Sequence, residues 1–211
     1  MKRYGGTFSG GKIHLGVPAI EMVGYECSAE GRRITKSATA KITKWPPCRN
    51  VTEVRGFLGV VGICRNWIKG YGLLARPLYD LTKCTNREFE WTDVHAEAME
   101  RVKAAVLASG AIRPVDYTRL EEYPPILAIN ASQIGCGIEL AQMGEDGKRY
   151  PARFMSKYYN SVQQRYSQPK LELYGIYVGM QAARLYVVEQ EACAPVRVWG
   201  DLAGCYSVRR R

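Results

Sequence analysis

The chain has no Cys-x-x-Cys pair and only two histidines, His14 and His95, both distant in sequence from its seven cysteines. A zinc site built from such ligands is therefore not expected, and His14 and His95 read as ordinary surface residues. The odd cysteine count (27, 48, 64, 84, 136, 193 and 205) argues against a secreted disulfide scaffold and for reduced thiols in an intracellular protein, cytoplasmic or nuclear. No apolar run reaches the ~20 residues of a membrane span, so no membrane partner is expected. The stretch Met1–Gly11 is basic and glycine-rich with no apolar segment, unlike a secretory signal. Acids are scarce relative to bases: 20 Asp and Glu against 30 Lys and Arg, a net charge of +10. That excess suits a polyanion, most simply nucleic acid, and equally describes a basic protein with no such partner.

What is present is a core-forming composition, 46% hydrophobic over 211 residues, enough for one large domain or two small ones. Two short strands are expected at Lys12–Val17 and Met22–Cys27, followed by a polar turn at Ser28–Arg33. Residues 35–49 read as a connector ending in Trp45-Pro46-Pro47-Cys48, where paired prolines impose extended backbone. A helix follows, with Asn50 as N-cap and Glu53 as capping-box acid. Val54, Phe57, Leu58, Val61 and Ile68 form its apolar stripe. Gly56, Gly59 and Gly62 weaken it unless they admit a neighbouring backbone. Arg55, Arg65 and Lys69 fall off the stripe, either as a solvated face or as cations presented to phosphates. Pro77 is expected to end a second short helical piece around Leu73–Leu81. Thr92 is expected to cap a helix from Asp93 to Ala108, with Ala98, Val102, Ala105 and Val106 on its inner side. Residues 109–125, with Pro114, Pro124 and Pro125, read as a long loop and a domain boundary.

Beyond it the texture is α/β. Strands at Ile126–Asn130, Gly135–Gln142 and Arg149–Ser156 form a meander. Ser167 and Pro169 open a helix to about Val187, apolar on nearly every face and so expected to be largely buried. Val196–Trp199 is a fourth strand. Tyr158, Tyr159, Tyr174, Tyr177 and Tyr186 read as core or interface residues. Glu172, seen alone, is a first-turn helix acid favoured by the dipole, and Asn130 a turn-former.

Several collinear runs carry a family resemblance. Lys44-Trp45-Pro46-Pro47-Cys48, Thr52-Glu53-Val54-Arg55-Gly56-Phe57-Leu58-Gly59, Trp67-Ile68-Lys69-Gly70 and Ala75-Arg76-Pro77-Leu78 resemble the segment joining reverse transcriptase to RNase H in gypsy-type LTR retrotransposons. Phe89-Glu90-Trp91 and Arg165–Tyr174 continue the match, the latter resembling fungal elements. The resemblance spans about Thr7 to Trp199. It implies an α/β (α+β) fold in two parts: a distal palm and helical thumb/connection segment at 1–120, then an RNase H-like mixed sheet with helices at 126–211, C-terminally truncated. The polymerase aspartate pair would lie upstream, and no Asp-Asp occurs here.

For the nuclease, the resemblance places the first metal-binding aspartate of a D-A-S motif on Asn130, in Asn130-Ala131-Ser132, and the second acid on Glu172. The third falls on Trp199, with Asp201 two residues on as a substitute; a fourth would lie past Arg211. Two Mg²⁺ ions need several carboxylate oxygens, and an amide supplies no charge. Glu139 stands where the family's second strand is apolar, and an unpaired buried acid is costly. The missing last strand and helix would leave part of the sheet uncovered. The expectation is a Pol fragment whose nuclease site is degenerate, with Mg²⁺ as cofactor only if activity remains. Its partners would be an RNA/DNA hybrid or other duplex and the remaining polymerase segment of Pol. Arg55, Arg65, Lys69, Arg76 and Lys170 are the cations expected on the nucleic acid. An active RNase H and a non-catalytic interaction scaffold are the alternatives.

Overall fold

The computed structural model describes residues 10–85, 88–187, 196–199 and 205–208, the last two stretches as backbone. It opens with a three-stranded antiparallel sheet, β1 (Ala19–Met22), β2 (Tyr25–Ser28) and β3 (Gly31–Ile34). These strands lie differently from the expected Lys12–Val17 and Met22–Cys27. The reason is a two-residue turn at Val23-Gly24, between the paired Met22 and Tyr25. Both turn residues take positive φ, 52° at Val23 and 83° at Gly24. Part of the expected polar turn, Gly31–Arg33, is strand.

The connector at 35–49 contains a helix, α1 (Lys36–Thr43), which the sequence reading left out. Thr35 caps it, its hydroxyl accepting from the Ala38 amide at 3.2 Å. α2 (Val51–Cys64) begins as expected: the Asn50 side chain accepts from the Glu53 amide at 2.8 Å, and Glu53 accepts from the Arg49 amide at 2.8 Å. Val54, Phe57, Leu58, Val61 and Ile68 are all buried. After a 3-10 turn at Arg65–Trp67 come α3 (Tyr71–Leu74) and α4 (Arg76–Leu81). Pro77 does not end a helix; it stands in the first turn of α4, where its missing N–H has no intrahelical partner to lose. α5 (Asp93–Leu107) follows Thr92. His95 is no idle surface residue: its Nδ1 accepts from the Thr92 amide at 3.1 Å, closing the cap. These elements enclose one core, from Ile42 to Val106.

The stretch 109–125 is fastened at both sides. Arg32 and Ile112 exchange two backbone hydrogen bonds, of 2.8 and 2.9 Å, and the Arg113 amide donates to Pro151 at 2.9 Å. The second core, from Val115 to Ala183, lies between a five-stranded sheet and one long helix. The strands are β4 (Ile126–Ala131), β5 (Gly135–Met143), β6 (Arg149–Tyr158), β7 (Val196–Trp199) and β8 (Cys205–Val208), in spatial order β6-β5-β4-β7-β8. β4 and β7 pair in parallel and the other neighbours antiparallel. β8 is a fifth strand where the sequence reading had the sheet end at the fourth.

The helix is α6 (Gln168–Val187). It buries one stripe, not every face: Leu171, Gly175, Gly179 and Ala183 turn inward, while Leu173, Tyr177 and Leu185 are exposed. The glycines bring α6 close to β4. A Cβ on Gly175 would stand 3.1 Å from Ala131 Cβ, and one on Gly179 2.6 Å from Ile129 Cδ1.

Candidate nucleic-acid interface

Successive strand residues face opposite sides of a sheet. In β4 the residues against α6 are Leu127, Ile129 and Ala131, so Ala128 and Asn130 face away from it. Their register partners on β5 are Glu139 and Gly137. With no side chain at Gly137, the sheet surface beside Asn130 is open, and a cleft of about 440 Å³ forms there. Its far wall is Lys69 and Gly70, from the turn that enters α3, and Leu73 of α3 itself. Gly70, at φ 68°, takes the left-handed conformation that starts this helix.

Glu139 is not the unpaired acid that its position suggested. Arg149, the first residue of β6, brings Nη2 to 3.1 Å from Glu139 Oε1, and both side chains are mostly buried. The pair is not aligned as a hydrogen bond, so Arg149 Nε and Nη2 remain buried donors without acceptors. Arg149 lines the cleft beside Lys69 and Asn130 and was missed by sequence reasoning. No strand-register signal pointed to it: Glu139 faces Phe154 and Arg149 faces Met143 across the hairpin.

Glu172 sits on α6, across the sheet, half-buried, accepting from Gln168 Nε2 at 3.2 Å. It is not among the residues lining the Asn130 cleft. β7 pairs with β4 so that Trp199 stands opposite Ala128. Asp201 lies outside the described residues.

The five expected cations are dispersed. Only Lys69 shares the cleft with Asn130. Arg55 donates to the Thr82 carbonyl at 2.9 Å. Arg76 lies 4.4 Å above the Tyr158 ring and 3.6 Å from Asp80. Lys170 sits 3.9 Å over the Tyr166 ring. Arg65 lines a separate cleft. Of the tyrosines, Tyr159 is fully buried and its hydroxyl pKa is pushed up by desolvation, then by Cys136; Tyr158 and Tyr177 are exposed.

The described residues do not fit a pair of divalent cations. No group of three or more His, Cys, Asp or Glu comes together among them. The cleft offers the Asn130 amide, which carries no charge, and Glu139, whose charge already faces Arg149. No described helix is long and apolar enough to cross a membrane.

Residues 91–193 match the family described as the RNase H-like domain found in reverse transcriptase. This stretch is similar to the RNase H-like domains of reverse transcriptases. Similar polyproteins extend the likeness beyond these residues. The Gag-Pol polyprotein of Woolly monkey sarcoma virus is 36% identical over 119 residues, 56% of this chain and 7% of that protein. The Transposon Tf2-3 polyprotein of Schizosaccharomyces pombe is 27% identical over 182 residues, 86% of this chain and 13% of that one. The chain thus spans a small fraction of the curated relatives it matches. Among solved structures, the foamy viral protease-reverse transcriptase superposes with a TM-score of 0.74 in complex with dsDNA and 0.71 in complex with RNA/DNA hybrid. Identity is 20% in both; the coverage is 88% of this chain and 37% of the first, 89% and 24% for the second. At that identity the likeness is one of fold.

Proposed function

We propose that this chain is the thumb/connection and RNase H-like portion of a gypsy-type LTR retroelement Pol, and that it holds an RNA/DNA hybrid or other duplex without hydrolysing it. The observation that carries the reading is the cleft shared by Asn130, Lys69 and Arg149. A strand end that would need a carboxylate for metal chemistry instead carries an amide, with Lys69 and the Glu139-facing Arg149 beside it. That donor set suits a phosphate better than a magnesium ion. Residues 1–120 supply Lys69, and 126–211 the sheet. The net charge of +10 supplies long-range attraction. The foamy viral relative in complex with RNA/DNA hybrid lends the duplex as the ligand class.

The test is fluorescence anisotropy with a labelled RNA/DNA hybrid across a salt series, alongside cleavage in Mg²⁺ and in Mn²⁺. Binding should fall steeply with salt and vary little with sequence, and Lys69→Ala should lower the slope of log K against log salt by about 1. The unmodified chain should leave the hybrid intact. Cleavage abolished by Glu172→Ala would establish an active nuclease instead. Salt-insensitive or absent binding would leave an interaction scaffold.

A further inference from the structure

A second cleft, of about 460 Å³, follows the outer edge of β6 where the helical segment docks on the RNase H-like sheet. Its walls come from three places: Arg65 and Asn66 from the 3-10 turn, Tyr71 and Tyr79 from α3 and α4, and Arg153 and Tyr186 from β6 and α6. No carboxylate among the described residues lines it. Among the described residues neither Arg65 nor Arg153 forms an ion pair. Arg153 Nη1 is in contact with the Tyr186 hydroxyl, while its Nε is buried with no hydrogen-bond partner. A guanidinium that gives up water without an acceptor is costly. A ligand with oxygen acceptors would remove that cost. Tyr79 is 42% exposed at the cleft and keeps contact with the buried Tyr71, ring centroids 6.4 Å apart and hydroxyls 3.4 Å apart. The site therefore combines two forked cations that form no ion pair among the described residues, Arg65 exposed and Arg153 with an unsatisfied Nε, with a flat, partly open aromatic wall.

We propose that this cleft binds a phosphate borne on a nucleoside, with Arg65 and Arg153 holding the phosphate and the base lying against Tyr79. The phosphate matches the fork of a guanidinium and the base matches the ring face. The volume admits about one nucleotide, free or as one unit of a strand. The inference rests on the duplex-binding reading only in treating Arg65 as phosphate-facing.

Calorimetry on the full chain with adenosine 5′-monophosphate, adenosine, inorganic phosphate and a short single-stranded oligonucleotide tests it. Saturable binding of the monophosphate, weaker for either half alone and reduced about tenfold or more by Arg65→Ala, supports a free-nucleotide site. Binding of the oligonucleotide alone, with the same loss in Arg65→Ala and in Tyr79→Ala, supports a strand-unit site. Arg65 and Tyr79 are exposed, so these variants keep the fold, which circular dichroism checks. No binding by any ligand, or binding indifferent to both variants, overturns the inference. Lys69→Ala separates the two readings. If it weakens hybrid binding while Arg65→Ala leaves every ligand unaffected, the duplex reading stands and this one fails. If the monophosphate binds through Arg65 but the hybrid does not bind, the reverse holds.

Discussion

Single residues decide most of what this chain does differently from its sequence pattern. Val23 is one. It holds φ at 52° in a two-residue hairpin turn, a conformation that costs a β-branched residue about 1–3 kcal/mol. Its side chain is 85% exposed and contributes nothing to a core. Val23→Asn would create the Asn-Gly pair that this turn geometry favours, since Gly24 already has positive φ. The variant should be more stable by about 1 kcal/mol, read as a higher urea midpoint with an unchanged slope. A lower midpoint would mean that the turn is not formed as described. The same residue explains why the first sheet was misplaced: Val23 has strong strand propensity, so Met22–Cys27 read as one uninterrupted strand. Asn130 is the opposite case. Its identity was legible at once, and its meaning depended on neighbours 61 positions back (Lys69) and 19 ahead (Arg149), which no local pattern links.

At the scale of elements, glycine separates two helices that look alike in sequence. In α2, a Cβ added to Gly59 or Gly62 meets nothing within 4 Å. Gly59→Ala and Gly62→Ala should each stabilise by about 0.5–1 kcal/mol, since alanine restricts the unfolded chain and suits the helix. In α6, the same change at Gly175 places a Cβ 3.1 Å from Ala131 Cβ, an atom fixed to the backbone of β4. The propensity gain is then offset by overpacking of about 1–3 kcal/mol, and Gly175→Ala should be destabilising. Thermal melts of the three variants check this; a stabilised Gly175→Ala would mean that α6 does not pack on β4 through its glycines. Elements with strong local signals were legible: α2 through Asn50 and Glu53, α5 through Thr92, and the β4–β6 meander through its alternation and turn. α1 was not, because Lys36-Ser37-Ala38-Thr39-Ala40-Lys41-Ile42-Thr43 carries a single large apolar residue, Ile42, and forms by capping and by burying that side chain. β8 was not, because Cys205-Tyr206-Ser207-Val208 is short and gains its place only by pairing with β7. The exposed side of α6 was misjudged for a related reason: Leu173, Tyr177 and Leu185 fit a buried helix by composition, and only the position of the sheet shows which stripe turns inward.

Over the whole molecule, the two cores are joined by a seam of hydrogen bonds and ring contacts along β6. The Gly72 amide donates to Ser156 Oγ at 2.9 Å, Arg76 covers the Tyr158 ring, and Arg113 bonds Pro151 while its neighbour Ile112 pairs with Arg32 of β3. The amino-terminal sheet is tied in as well, through Tyr25 stacked on Trp67 and the Trp67 indole donating to the Arg32 carbonyl at 3.0 Å. A chain whose sequence suggests two parts with a loop between them should then unfold as one unit under this coupling. Trp45, Trp67 and Trp91, three of the four tryptophans, belong to the amino-terminal half, so their fluorescence follows that half, whereas far-ultraviolet circular dichroism also follows α6 and the larger sheet. The two urea curves should coincide. Ser156→Ala, which removes the acceptor of the Gly72 amide, should shift both curves together by about 1 kcal/mol. If instead fluorescence changes first and only that curve moves in the variant, the helical part opens independently. Lys69 would then reach the Asn130 cleft in only a fraction of molecules, and duplex affinity would fall by that fraction.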